Sequence, residues 1–203
     1  MRGLAMNARI ARGLAALFPA LALAGCLSLG AEPPASLLNL TAEARAPVGS
    51  ETSGTRENAL AVEEPQVPAE IDVLRVPVRV SDTELAYLKD AVWVDKPARL
   101  FRRMLAETLR MRTSRLVIDS DDPSLFAESH LRGTLREFGY DASRSAVIVR
   151  FDAIRQGASG AVETQRFEVV EEGVLAKPAP VGAALNRASN EVARQVADWI
   201  GGA

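Results

Sequence analysis

Apolar residues recur along this chain in three rhythms, and each rhythm predicts an element. Two stretches carry the spacing of an amphipathic helix. In the first, Leu100, Phe101, Met104, Leu105 and Leu109 fall on one face. Asp95 stands as its N-cap and Pro97 in its first turn, so a helix is predicted over 95–111. In the second, Val181, Leu185, Ala188, Val192, Val196, Trp199 and Ile200 line one stripe, which predicts a helix over 181–200. Period-two alternation marks the strands. They are expected at 36–46, 59–62, 71–80, 86–94 and 115–119, followed by a meander of 130–139, 145–154 and 162–170 joined by DASR and RQGASG. Leu74, Val76, Val78 and Val80 make the apolar face of one strand, in which Pro77 points to an edge or a bulge. In the middle of the meander Val147, Val149, Phe151 and Ala153 oppose Ile148, Arg150, Asp152 and Ile154. Polar, Gly- and Ser-rich residues make 47–58 a loop. The pattern predicts a single α+β domain over 36–203, an antiparallel β-sheet with two main amphipathic helices packed on one face.

The third rhythm is no rhythm at all: residues 14–24 (LAALFPALALA) are an unbroken apolar run. At eleven residues it falls short of the roughly 20 that a membrane span needs. Arg2, Arg9 and Arg12 are the only charges before Glu32. A basic start followed by a short apolar run reads as a cleaved secretory signal over 1–25. Leu23, Ala24, Gly25 and Cys26 follow at once and resemble the lipobox of bacterial lipoprotein precursors. The order suits the chemistry: the Cys26 sulfur takes diacylglycerol, and the small Ala24 and Gly25 let a peptidase reach the Gly25–Cys26 bond. Two or three acyl chains hold a protein on a bilayer where one does not, at about 0.8 kcal/mol per buried methylene. Residues 26–35 then read as a lipidated tether. The covalent diacylglycerol and N-acyl chain on Cys26 are the only prosthetic groups expected. Leu27, where an Asp commonly signals inner-membrane retention in Gram-negative lipoproteins, favours the periplasmic face of the outer membrane.

Composition narrows the function. Of 203 residues 48% are hydrophobic and 25% charged, a globular balance. Removing the three N-terminal arginines leaves 21 basic against 26 acidic residues, about −5, which disfavours nucleic acid as partner. One cysteine excludes an intrachain disulfide, and one histidine argues against a His-based metal site or triad. Ser129 and His130 are adjacent, and successive strand residues point apart. No Gly-x-Ser-x-Gly elbow is present. Asp119, Asp121 and Asp122 lack the glycine and the distant glutamate of a calcium loop and read as a turn, as do Glu171, Glu172 and Gly173. No catalytic residues and no metal are therefore expected. Arg99, Arg102, Arg103, Arg110 and Arg112 make the outer side of the first helix basic. Trp93, Arg99, Arg102 and Arg103 form the candidate partner interface, with Trp93 as core filler the competing reading.

Several segments together resemble a known family. They are IDVLRVPVRV, YLKDAVWVDKPARLFRRMLAETL from Tyr87 to Leu109, AVIVRFDAI, the closing ALNRASNEVARQVADWI, and the lipobox at Cys26. Most of the mature chain is similar to the ABC-type transport auxiliary lipoproteins, the paraquat-inducible-C-like components that accompany MCE-domain lipid transporters. It departs from their pattern over 41–67. The resemblance implies a non-enzymatic periplasmic lipoprotein that partners an MCE-domain protein and an ABC permease and ATPase. Its implied cargo is phospholipid or another hydrophobic molecule, and a homo-oligomer around the transporter axis fits such a component. The other reading is a structural or assembly lipoprotein of the outer membrane without a transport role.

Overall fold

A computed structural model describes residues 36–119 and 126–202. The lipobox residues Leu23, Ala24, Gly25 and Cys26, with Asp121 and Asp122, lie outside the described residues. Seven strands form one sheet: β1 (Ala59–Val62), β2 (Arg75–Arg79), β3 (Leu85–Val92), β4 (Leu116–Ile118), β5 (Ser129–Asp141), β6 (Ala146–Gln156) and β7 (Val162–Glu171). Two helices accompany them, α1 (Pro97–Arg112) and α2 (Pro178–Gly201). The α+β class and the helix-on-sheet arrangement agree with the hydrophobic pattern.

The thirteen-residue β5 is the spine. One edge pairs antiparallel with β6 along its length, and β6 pairs antiparallel with β7. The other edge is forked. Its start takes β1 in parallel, Leu60 opposite Ser129, and its end takes β2 in parallel, Val78 opposite Tyr140. Between them Gln66 donates to the Gly133 carbonyl and accepts from the Leu135 amide, both at 2.9 Å. β4 extends β1 in parallel, and β3 closes the β2 side as an antiparallel hairpin. The sheet is thus antiparallel in its meander and hairpin and parallel where the N-terminal strands meet β5.

Local chemistry explains where strands depart from their simple pattern. Pro77 sits where the β2–β3 register shifts, the place a residue without an N–H is tolerated. Only residues 75–79 of the expected 71–80 strand are regular. Val76 is fully buried, but Leu74 and Val80 are 44% and 39% exposed. Residues 36–46 form no strand; they contribute one bridge, Leu38 to Trp93. The N-cap of α1 falls one residue later than expected, on Lys96, and Asp95 Oδ1 accepts from the Lys96 amide at 2.7 Å.

The sheet has one covered and one open face. Val147, Val149, Phe151 and Ala153 point to the helices and are buried with Leu100, Phe101, Leu105, Leu185, Val192 and Val196. Phe101 meets Phe151 at 5.2 Å between ring centroids, and Phe167 meets Trp199 at 5.8 Å. Each such buried side chain contributes roughly 1.5–3 kcal/mol. Gly133 has to be glycine: a Cβ there would lie 2.2 Å from the Asp152 carbonyl and 2.6 Å from the Phe151 ring.

Candidate functional site

The segment ahead of β1 is strapped across both helices. The Leu38 amide donates to the Val92 carbonyl and the Leu38 carbonyl accepts from Val94. Asn186 Oδ1 accepts from the Thr41 amide, and Asn190 Oδ1 from the Glu43 amide, both at 2.8 Å. The Asn190 amide group donates to the carbonyls of Thr41 and Asn186. Glu107 Oε1 on α1 then accepts from the Ala46 amide at 2.8 Å. Leu38 presses on Gly182, where a Cβ would come within 2.6 Å of it. The strap fixes the end of the domain from which the chain leads back to Cys26. Sequence periodicity did not reveal it, because side-chain amides bonding a backbone some 145 residues away leave no repeat.

The expected interface residues divide. Trp93 is 1% exposed and packs on Phe138 at 5.3 Å, so it fills the core behind the strap rather than facing a partner. Arg102 is 7% exposed and donates through Nε to the Val62 carbonyl at 2.9 Å, tying α1 to β1. Arg99 and Arg103 do reach the surface. Both converge on Asp95, Arg103 at 3.0 Å, and Arg99 also approaches Glu64 at 3.6 Å. Further along, Arg110 pairs with Glu107 and Asp119, and Arg112 with Asp198. The outer side of α1 is therefore a lattice of paired charges, each exposed pair worth about 0–1 kcal/mol.

Two clefts flank these features. One, of about 240 Å³, opens between strap and helices and is lined by Glu43, Thr108, Arg112, Arg187, Asn190 and Arg194. The other, about 60 Å³, lies on the open sheet face among Ile71, Pro77, Leu85, Phe138, Gly139 and Ile148. Both fall below the roughly 300–1,000 Å³ of ordinary small-molecule sites. His130 is half-exposed, its Nδ1 3.0 Å from Glu63 Oε1, while the neighbouring Ser129 is buried.

The open face carries rows of alternating charge. Asp152 accepts from Arg166 at 2.6 and 2.8 Å and from Arg136 at 3.0 Å. Those guanidiniums, the Arg166 hydrogen bond above all, hold its carboxyl down at about 2 against the opposing effect of burial. In the next row Arg150 pairs with both Glu137 and Glu168, and Arg79 reaches Glu137 at 2.8 Å. On α2 the Arg194 hydrogen bond is the main force lowering Glu191 to about 2.

Comparison with known proteins adds the rest. The model of the family described as ABC-type transport auxiliary lipoprotein component matches residues 38–197. None of the curated proteins matches the chain. Protein XCC0632 from Xanthomonas campestris superposes with a TM-score of 0.67 at 19% identity, over 82% of this chain and 95% of that one. An uncharacterized protein does so with a TM-score of 0.63 at 16% identity, over 74% and 96%. At those identities the likeness is one of fold.

Proposed function

The chain belongs to the family of ABC-type transport auxiliary lipoprotein components, and from that premise we propose that it is a lipid-anchored, non-catalytic docking subunit of an ABC transporter. Cys26 carries the acyl chains and holds the domain at the periplasmic face of the outer membrane. The domain engages an MCE-domain protein and its permease, and the assembly moves phospholipid or another hydrophobic molecule across the envelope. One observation carries the reading: the family match takes in every strand and all but the last turn of α2, while the lipobox stands just ahead of it.

The geometry suits docking better than cargo storage. The two clefts are small, and the surface of α1 offers paired charges that a partner can re-pair on contact. Charges so arranged select a partner and its orientation more than they add affinity. The strap joins the N-terminal end of the described domain directly to α1 and α2.

The test is affinity purification of the acylated protein from its own membranes, with mass spectrometry of what accompanies it. Recovery of an MCE-domain protein with an ABC permease is the expected result. Recovery of outer-membrane proteins alone would replace the proposal with the structural lipoprotein. Independently, Cys26→Ser is expected to abolish palmitate labelling and release the protein from the membrane fraction; labelling that survives would refute the lipobox.

A further inference from the structure

We propose that the domain rests on the surface of the bilayer that anchors it, through an apolar patch at the point where the chain enters the fold. The backbone there forms a short three-stranded corner. Residues 92–94 run between Leu74, just ahead of β2, and the start of the strap. The Trp93 amide donates to the Leu74 carbonyl, and Leu38 pairs with Trp93 in parallel. Leu38 and Trp93 therefore share a face, and both pack into the core. Successive side chains of an extended segment alternate, so Leu37, Val92 and Val94 stand on the opposite face. Leu37 is 52% and Val94 51% exposed, and the half-buried Val92 is not among the side chains packed on the core. Leu74 borders the same corner and is 44% exposed. One such residue is ordinary on a surface, whereas a contiguous group marks a contact.

The flank of the patch has the chemistry of a membrane interface. Arg75 lies opposite Val92 in the β2–β3 ladder and so shares its face, with its guanidinium 4.6 Å from the Tyr87 ring centroid. Tyrosine rings and long basic side chains settle at the level of lipid head groups, the apolar part inward and the polar end in water. Among the described residues neither Arg75 nor the exposed Lys89 makes an ion pair. That sets them apart from the guanidiniums of α1, which are held by carboxylates. The acids of this region are Asp72, which holds Lys96 at 2.9 Å, and Asp90, exposed beside Lys89. Asp90 offsets part of the positive charge. The apolar residues therefore carry the contact, and Arg75 orients it toward anionic head groups.

The chain ahead of the patch says what covers it. Leu37 lies eleven residues after Cys26, a reach of at most about 40 Å when fully extended. With Cys26 acylated as proposed above, on which this inference rests, Leu37 stays close to lipid whatever path the tether takes. A tether that short holds the patch at an effective concentration on the order of millimolar. A few aliphatic side chains, too weak to recruit a free protein to a membrane, are then enough to seat an anchored one. Neither cleft described above is lined by Leu37, Val92 or Val94. A surface without a recess suits a plane of lipid better than an inserted side chain or a small ligand.

Cys26 is the chain's only cysteine, and acylation consumes its thiol, so an introduced cysteine can be labelled alone. The full acylated chain carrying Leu37→Cys or Val94→Cys is labelled with an environment-sensitive fluorophore. It is then reconstituted into vesicles of phosphatidylethanolamine and phosphatidylglycerol, with a nitroxide near the top of the acyl chains as quencher. An apolar face seats roughly 5–10 Å into the head-group boundary, so these labels should be quenched at least about threefold more than labels at Val162→Cys or Leu175→Cys. Val162 and Leu175 are exposed too, at 60% and 65%. The pair Leu37→Ser and Val94→Ser, read from a label at Leu74→Cys, should lose most of that quenching at an unchanged melting temperature, since neither side chain belongs to the core. Arg75→Gln should reduce quenching on these vesicles and leave it unchanged on phosphatidylcholine; no difference between the two would overturn the role of Arg75. Flotation separates the contact from the anchor. A chain that fails to float with the vesicles would refute acylation and contact together. One that floats with its Leu37 and Val94 labels quenched no more than the controls, or whose quenching survives the double serine variant, would overturn the contact alone.

Discussion

Asn190 offers the sharpest test of the strap. Its side chain is 7% exposed and makes three hydrogen bonds, accepting from Glu43 and donating to Thr41 and Asn186. Asn190→Ala deletes all three. A net bond is worth about 1 kcal/mol, and a buried group left without a partner costs about 1–3 kcal/mol. Glu43 and Thr41 lie near the surface, where water can replace part of the loss, so the expected cost is about 2–3 kcal/mol. For a domain of this size that lowers the melting temperature by roughly 4–12 °C. Asn186→Ala loses a single exposed bond, from Thr41, and should cost under about 1 kcal/mol. Asn190→Asp separates hydrogen bonding from packing. The carboxylate can still accept from Glu43 but turns its other oxygen toward two carbonyls, so its folded-state pKa rises above the ordinary value of about 3.9. A raised acid pKa destabilises above the unfolded value, so Asn190→Asp should be less stable than Asn190→Ala at pH 7 and recover as the pH falls toward 4. Urea denaturation followed by circular dichroism at both pH values measures this. If Asn190→Ala changes stability by less than about 0.5 kcal/mol, the scale of an ordinary surface substitution, or Asn190→Asp shows no pH dependence beyond wild type, Asn190 does not hold the strap.

Other outcomes follow from the sheet. Gly133→Ala drives a methyl into the Asp152 carbonyl and the Phe151 ring, so it should cost about 3 kcal/mol or more in the same denaturation assay. Asp152 is held at about 2 in the folded protein against an ordinary 3.8. A depressed acid pKa adds stability above its unfolded value and loses it as pH falls through the folded one. Wild type should therefore lose about 1–2 kcal/mol more than Asp152→Asn between pH 5 and pH 2, a range and amount set by linkage after allowance for partial exposure. Thermal melts across that range check it, and parallel curves for the two proteins would refute the role of the Arg136–Asp152–Arg166 row.

Both helices were legible because their periodic faces are their buried faces: Leu100, Phe101, Met104, Leu105 and Leu109 are all in the core, as are Val181, Leu185, Ala188, Val192 and Val196. The meander was legible for the same reason, and its boundaries moved by only a residue or two. The N-terminal strands were harder. Leu74 and Val80 keep the alternation, yet the strand is regular only between Arg75 and Arg79, because Val73 and Leu74 bend away before the ladder forms. Parallel pairing of β1 and β2 with β5 joins residues some 60–70 apart in sequence, and no local pattern encodes that. Arg102 reads as a surface charge on any helical wheel. Its long apolar stem allows burial once the guanidinium finds the Val62 carbonyl. Trp93 carried two readings in sequence, and its contact with Phe138 decides for the core.

The forked edge of β5 sets the order in which the chain can fold. β5, β6 and β7 are consecutive and joined by short turns, so their pairing closes small loops and is entropically cheap. β1 and β2 have only β5 to complete the sheet with, and it comes nearly fifty residues after the later of them. In a chain that emerges N-terminus first, the β1–β4 pair and the β2–β3 hairpin must wait for β5 before they join one sheet. Pulsed hydrogen exchange during refolding should protect the β5–β6 amides before those of β1, and simultaneous protection would argue against this sequence of events. If the N-terminus is processed at a membrane, as we propose, late folding has a use: the lipidation signal would stay accessible to its enzymes while the domain behind it is still unfinished.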